Sequence, residues 1–104
     1  MAQVAASVMQ TVRKYLKTVQ KHYRLNAAYL YGSHVKGKAT RWSDIDLAII
    51  SPDFKEDSYE ERLALLRLSV GIDDRIEPHP FKVEAFNPND PLASEISDHG
   101  VRVA

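Results

Sequence analysis

Apolar residues recur every three or four positions over the first two dozen residues and predict a helix that buries one stripe. The members of this stripe are Val4, Val8, Val12, Leu16, Val19 and Tyr23, with Tyr15 on its flank. Asn26 interrupts the pattern, and the apolar run 27–31 is typical of a short buried strand. Gly32 follows directly, as expected where a strand enters a tight turn. The pattern therefore predicts a helix, a strand and a turn.

A second strand is predicted from Asp44 to Ser51, where apolar residues alternate with others. Its apolar face carries Ile45, Leu47 and Ile49. Side chains two residues apart on a strand point the same way, so Asp44 and Asp46 project together from the opposite face. Pro52 ends the strand, and a polar loop follows to position 57.

A second long helix is predicted after this loop. Ser58 and Glu61 have the spacing of a capping box, which marks a helix start. The side chains expected to point inward are Leu63, Leu66 and Val70. Gly71 is the expected C-cap, because glycine readily adopts the backbone conformation that ends helices.

The remaining segments predict a strand, a short helix and a final strand. Segment 75–81 contains two prolines, which are typical of an edge strand or of an irregular one. Asp90 and Pro91 suit the N-cap and first position of a helix that stops near Gly100. Positions 101–103 form a candidate last strand. The predicted order is helix, strand, turn, strand, helix, strand, helix, strand.

Composition narrows the class of protein and of metal site. The 104 residues, 44% hydrophobic and 27% charged, fit one globular domain spanning 1–104. No segment approaches the roughly 20 apolar residues of a membrane span, and there is no signal-peptide pattern, so we expect a cytoplasmic protein. With no cysteine, a metal must be bound by oxygen or histidine, which favours Mg²⁺ over structural Zn²⁺.

The net charge of zero hides an uneven distribution. Residues 1–43 contain eight Lys or Arg and no Asp or Glu. The basic residues of the first helix are expected to solvate its outer face. Lys36, Lys38 and Arg41 differ, because they lie in a loop where positive charge could neutralise phosphate.

Candidate chemistry is concentrated in Gly32-Ser33, followed after ten residues by Asp44-x-Asp46. Glycine allows close backbone approach to a phosphate, and the Ser33 hydroxyl and N–H can bind its oxygens. The two aspartates can share one or two Mg²⁺ ions. Each half of the motif also has a purely structural interpretation. Ser33 could be the N-cap of a helix, and Asp44 and Asp46 could be solvent-exposed acids at the start of a strand. Their placement at the facing ends of two strands favours a joint site for a triphosphate and Mg²⁺.

Segments 30–33 and 43–47, with the ten-residue gap, resemble the DNA-polymerase-β-like nucleotidyltransferase superfamily, and the short length is similar to its minimal nucleotidyltransferases. The resemblance implies an α+β fold with a small mixed sheet of three to four strands flanked by helices. It also implies a third carboxylate, acting with the metals or as a base. Glu77 occupies that position, although aspartate is usual in polymerases, and Glu84 is the competing candidate.

The resemblance implies Mg²⁺-dependent transfer of AMP from ATP to a hydroxyl, with two ions and release of pyrophosphate. Since 104 residues leave no second domain to hold a long nucleic acid, a protein or small-molecule acceptor is expected. Minimal members look like antitoxins of HEPN–MNT modules, which implies a HEPN ribonuclease toxin as partner in a hetero-oligomer and a tyrosine as acceptor. The alternatives are a module that inhibits a partner by occlusion, and nucleotidylation of a small molecule such as an aminoglycoside.

Three further side chains near the motif have two interpretations each. His34 could contact phosphate, and His79 lies on the strand face of Glu77, yet either could be a surface residue. Trp42 could stack on a nucleobase or pack its loop against the sheet. Both histidines rank below the carboxylates, because a Mg²⁺ nucleotidyl site does not need a histidine base.

Overall fold

The computed structural model describes residues 4–104. It contains four helices, four strands and one 3₁₀ turn within that range. In chain order these are α1 (Ala6–Gln20), β1 (Ala27–Tyr31), α2 (Ser33–Lys36), β2 (Ile45–Ile50), α3 (Ser58–Leu68), β3 (Ile76–Phe81), the 3₁₀ turn (Val83–Ala85), α4 (Pro91–His99) and β4 (Val101–Arg102). The predicted order of elements is confirmed. In the described part of the chain, no helix is both long enough and apolar enough to span a membrane.

The strands form one mixed sheet in the order β3-β2-β1-β4. Strand β1 pairs antiparallel with β2 and β4, whereas β2 and β3 are parallel. The α3 helix connects these two parallel strands. The α+β class and the small mixed sheet flanked by helices are therefore confirmed. The two prolines lie on β3, at the edge of the sheet as predicted.

The main core lies between one face of the sheet and helices α1 and α3. Its fully buried side chains include Val12, Tyr15, Val19, Leu30, Ile45, Leu47 and Leu65. Tyr15 donates a hydrogen bond from its hydroxyl to Leu65 O at 2.8 Å and thereby joins the two helices. The predicted stripe of α1 is thus the buried face, and Tyr15 lies within it rather than on its flank.

The opposite face of the sheet is covered at one end only. There α4 and the segment after β3 pack on a smaller apolar cluster of Ala27, Ala48, Ile50, Phe81, Ala93 and Ile96. At the other end β1 finishes while β2 and β3 begin, and the same face carries the partly exposed side chains of Tyr31, Asp46 and Glu77. This end of the sheet contains the candidate site.

Three details of α3 differ from the sequence prediction. Its C-cap is Ser69 rather than Gly71, because the helix already ends at Leu68. Asp57, not Ser58, is the N-cap, because its carboxylate accepts a hydrogen bond from Glu60 N at 3.1 Å. Val70 was expected to point inward but is 78% exposed, since the helix ends at Leu68 and Val70 lies beyond it. Leu65 takes the buried position instead.

Candidate active site

The turn after β1 depends on glycine. Gly32 has φ 81° and ψ −149°, a region of backbone space that is essentially restricted to glycine. A Cβ at this position would overlap Asp46 Oδ2, so the backbone of the turn lies directly against the carboxylate of the neighbouring strand. The two halves of the sequence motif therefore meet.

Ser33 begins the short helix α2 and does not cap it. Gly32 occupies the N-cap position, and its carbonyl accepts hydrogen bonds from the amides of Val35 and Lys36, both at 3.1 Å. The capping alternative for Ser33 is therefore wrong, because the serine lies one residue too late in the chain. The first amides of a helix have no carbonyl partner inside it, which is the feature that suits an anion.

A row of three residues crosses three adjacent strands. Asp46 on β2 is paired with Tyr31 on β1 and with Glu77 on β3. Since residues paired across a sheet share a face, Asp46 and Glu77 project from the sheet as neighbours. Asp44 lies two residues before Asp46, just outside the strand, and is exposed. The structure thus brings the three predicted carboxylates to one end of one face.

The electrostatics of this row favour a cation. Burial raises the pKa of the Asp46 carboxyl, and the negative charges of Asp44 and Glu77 raise it further, while His34 acts in the opposite direction. Burial and the charge of Asp46 also raise the pKa of the Tyr31 hydroxyl. A positive ion bound among these carboxylates would reduce the repulsion between their negative charges.

Glu77 has a partner that sequence reasoning missed. Arg62 on α3 donates from its NH2 group to Glu77 Oε2 at 2.8 Å and from Nε to Pro78 O at 3.3 Å. No local pattern marks this contact, because the two residues are fifteen positions apart and meet only after α3 packs on β3. The available signal is that α3 connects the parallel strands β2 and β3 and must pack on them, so its polar side chains are candidates for contact with Glu77.

Glu84, the competing third acid, lies away from the row. It is on the 3₁₀ turn after β3, with a side chain that is 73% exposed and 3.5 Å from Lys82 Nζ. The geometry therefore supports Glu77 over Glu84 as the acid beside Asp46.

The three basic candidates have different surroundings. Lys36 lies at the end of α2, with Nζ 4.0 Å from Glu95 Oε1, and lines a cleft of about 270 Å³ beside Gly32. Lys38 and Arg41 are exposed on the loop between the two halves of the motif. Within residues 4–104, no hydrogen bond or ion pair links Lys38 or Arg41 to the carboxylates. Only Lys36 is already beside the turn.

The two histidines and the tryptophan occupy distinct environments. His34 is buried, with Nε2 3.4 Å from Ser43 O, so its side chain connects α2 to the residue before the acidic motif. Burial, followed by the charge of Arg62, lowers the pKa of His79. Trp42 is 78% exposed, and the Arg41 guanidinium lies 5.0 Å from its ring centroid. The expectation that Trp42 packs its loop against the sheet is therefore wrong.

The carboxylates fit a magnesium ion in chemistry but are not arranged as a complete cage. Asp44 and Asp46 supply the hard oxygen ligands that Mg²⁺ prefers. In the part of the chain that the structure describes, however, no three His, Cys, Asp or Glu side chains are grouped as a metal site. Glu77 stands beside Asp46 but is bonded to Arg62. The aspartate pair therefore fits the ion, whereas Glu77 is held by Arg62.

Comparison with known families identifies the family of the chain. The sequence profile of the nucleotidyltransferase domain matches residues 12–101, which run from the middle of α1 to the start of β4. The chain belongs to this family, and the predicted resemblance is confirmed at that level. No match was found among curated proteins.

Two solved structures share the fold. One, described as a candidate nucleotidyltransferase from Sulfolobus solfataricus, has a TM-score of 0.65 and 16% identity, covering 92% of this chain and 78% of its own. The other, a toxin–antitoxin structure with AMP-PNP, has a TM-score of 0.64 and 20% identity, covering 92% of this chain and 72% of its own. At such identities the likeness extends to the fold alone.

Proposed function

We propose that this chain is a Mg²⁺-dependent nucleotidyltransferase that transfers AMP from ATP to a hydroxyl group on a partner protein. The observation that carries the proposal is the contact between the Gly32 turn and Asp46, in a row with Glu77. A triphosphate needs exposed amides at a tight turn, and its cation needs hard carboxylate oxygens beside that turn. The family assignment supports the same reaction class.

The residues divide the work of the transfer as follows. Gly32 and Ser33 bind phosphate oxygens of ATP, helped by Lys36, with Lys38 and Arg41 in the adjoining loop. Asp44, Asp46 and Glu77 would hold Mg²⁺, which when bound neutralises the charge that develops on the phosphates. The acceptor oxygen forms a bond to the α-phosphorus, and the bond from that phosphorus to the bridging oxygen breaks. Pyrophosphate leaves, and the acceptor proton passes to a carboxylate, a role that we propose for Glu77.

For the acceptor we propose a tyrosine of a HEPN ribonuclease toxin, with this chain as its antitoxin in a hetero-oligomer. The toxin–antitoxin structure among the fold neighbours, which contains AMP-PNP, supports a partner of this kind. The resemblance to minimal nucleotidyltransferases supports it independently. Nucleotidylation of a small molecule would use the same site and remains the alternative acceptor class.

The test is to incubate the chain with the product of its adjacent gene, Mg²⁺ and ATP labelled at either the α- or the γ-phosphate. Transfer of AMP leaves the α-label on the acceptor and releases the γ-label as pyrophosphate. Intact mass then gives the number of AMP units, and peptide mapping gives the acceptor residue. Asp46→Asn should abolish the label. Glu84→Gln, which changes an acid outside the row, is the matched control for Glu77→Gln.

Three outcomes would change the proposal. Retention of the γ-label instead of the α-label would indicate phosphoryl transfer. Loss of transfer in Glu84→Gln but not in Glu77→Gln would move the third acid to Glu84. If the Asp44→Ala/Asp46→Ala variant transferred no label and still inhibited the partner fully, the result would favour inhibition by occlusion.

A further inference from the structure

We propose that Arg62 is a positioning residue that competes with the divalent cation for Glu77, holding this carboxylate in place until the cation binds. The inference rests on the proposed function, because it requires a cation site at Asp44, Asp46 and Glu77. It goes further by assigning a task to a side chain outside the sequence motif and by making cation affinity adjustable at that position.

The first argument is the geometry of the contact. The Arg62 guanidinium is held at two points, Glu77 Oε2 at 2.8 Å and Pro78 O at 3.3 Å. Two anchors on adjacent residues fix the orientation of the planar group, and with it the orientation of the carboxylate that it contacts. Glu77 is therefore directed by α3 although it is carried by β3.

The second argument is charge. A guanidinium bonded to Glu77 places a permanent positive charge beside the site, and a divalent ion approaching Asp46 and Glu77 would be repelled by it. Both side chains are partly exposed, 47% for Arg62 and 35% for Glu77, so the pair is weak enough to open. Cation binding and the ion pair are therefore alternatives at the same carboxylate.

The test uses the purified chain without nucleotide or partner and Mn²⁺ as the probe, with free Mn²⁺ measured by electron paramagnetic resonance and Mg²⁺ as competitor. Arg62→Gln should lower the Kd for Mn²⁺ by roughly two- to fivefold, the range expected for loss of a partly exposed competing pair. Arg62→Lys, which keeps the charge but loses the fork, should lower it less. In a Glu77→Gln background, Arg62→Gln should lower the Kd less than in the wild type, because only the repulsion by its charge is then removed.

Arg67→Gln is the matched control, because it removes the same charge from an exposed position on the same helix. If Arg62→Gln binds Mn²⁺ no more tightly than Arg67→Gln while Asp46→Asn loses binding, the role of Arg62 is refuted and the cation site stands. If the wild type and Asp46→Asn bind Mn²⁺ equally, the cation site is refuted and the role of Arg62 with it. If Arg62 had only a structural role, Arg62→Gln would lower the melting temperature without tightening Mn²⁺ binding, and the proposal would be refuted.

Discussion

The contact between Gly32 and Asp46 predicts a specific pattern of stability changes for Gly32→Ala. The backbone conformation at φ 81°, ψ −149° costs a residue with a Cβ about 1–3 kcal/mol. The new Cβ also overlaps Asp46 Oδ2, which can turn away only by leaving its rotamer, at about 0.5–1.5 kcal/mol. The free energy of unfolding should therefore fall by about 1.5–4.5 kcal/mol, measured by urea denaturation with an unchanged m value.

Gly71 provides the matched control. It also has a positive φ, 82°, yet an added Cβ would meet nothing within 4 Å. Gly71→Ala should therefore show the backbone cost alone, about 1–2 kcal/mol. Asp46→Ala removes the overlapping atoms, so Gly32→Ala should cost about 1 kcal/mol less in that background. Equal losses for Gly32→Ala and Gly71→Ala, with no coupling to Asp46, would refute the contact.

Three further predictions concern other parts of the chain. Tyr15→Phe removes the donor to Leu65 O in the core and should cost about 1–2 kcal/mol in urea denaturation, whereas no change would contradict a structural role for the bond. The hydrogen bonds from Arg75 lower the pKa of Asp73, so they add stability above the unfolded pKa near 4 that is lost as pH falls through the folded value. That part of the acid sensitivity should disappear in Asp73→Asn, and an identical pH profile would contradict it. Trp42 is the sole tryptophan and is 78% exposed, so nucleotide stacking should quench its fluorescence on addition of ATP, and an unchanged spectrum would exclude stacking.

Local patterns predicted the elements and the meeting of the motif halves. The alternation of apolar residues around Asp46 correctly predicted which face of the strand carries this carboxylate. The position of Gly32 after an apolar run correctly predicted the turn. Asp90 and Pro91 gave the start of α4, where Asp90 Oδ1 accepts from Leu92 N and Ala93 N. These features depend on residues close in sequence, so they can be inferred without tertiary packing.

Features that depend on packing were missed or misassigned. Arg62 reaches Glu77 only because α3 lies across β3, and the separation of fifteen residues leaves no local trace. Val70 fitted a helical period that the structure ends at Leu68. Trp42 is exposed although its size favours burial. The roles of the site residues stay predictions, since they concern ligands rather than the fold.

The prolines of β3 limit how a partner can attach to this sheet. Arg75 O and Phe81 O accept from β2, so the odd-numbered residues of β3 direct their backbone groups inward and Pro78 and Pro80 direct theirs to the free edge. These two positions have no N–H, and Pro78 O already accepts from Arg62. A strand of another protein finds no donor there and cannot extend the sheet across that edge. At this edge of the sheet a partner protein must therefore bind through side chains, loops or helices, and strand addition is left to the opposite edge, at β4.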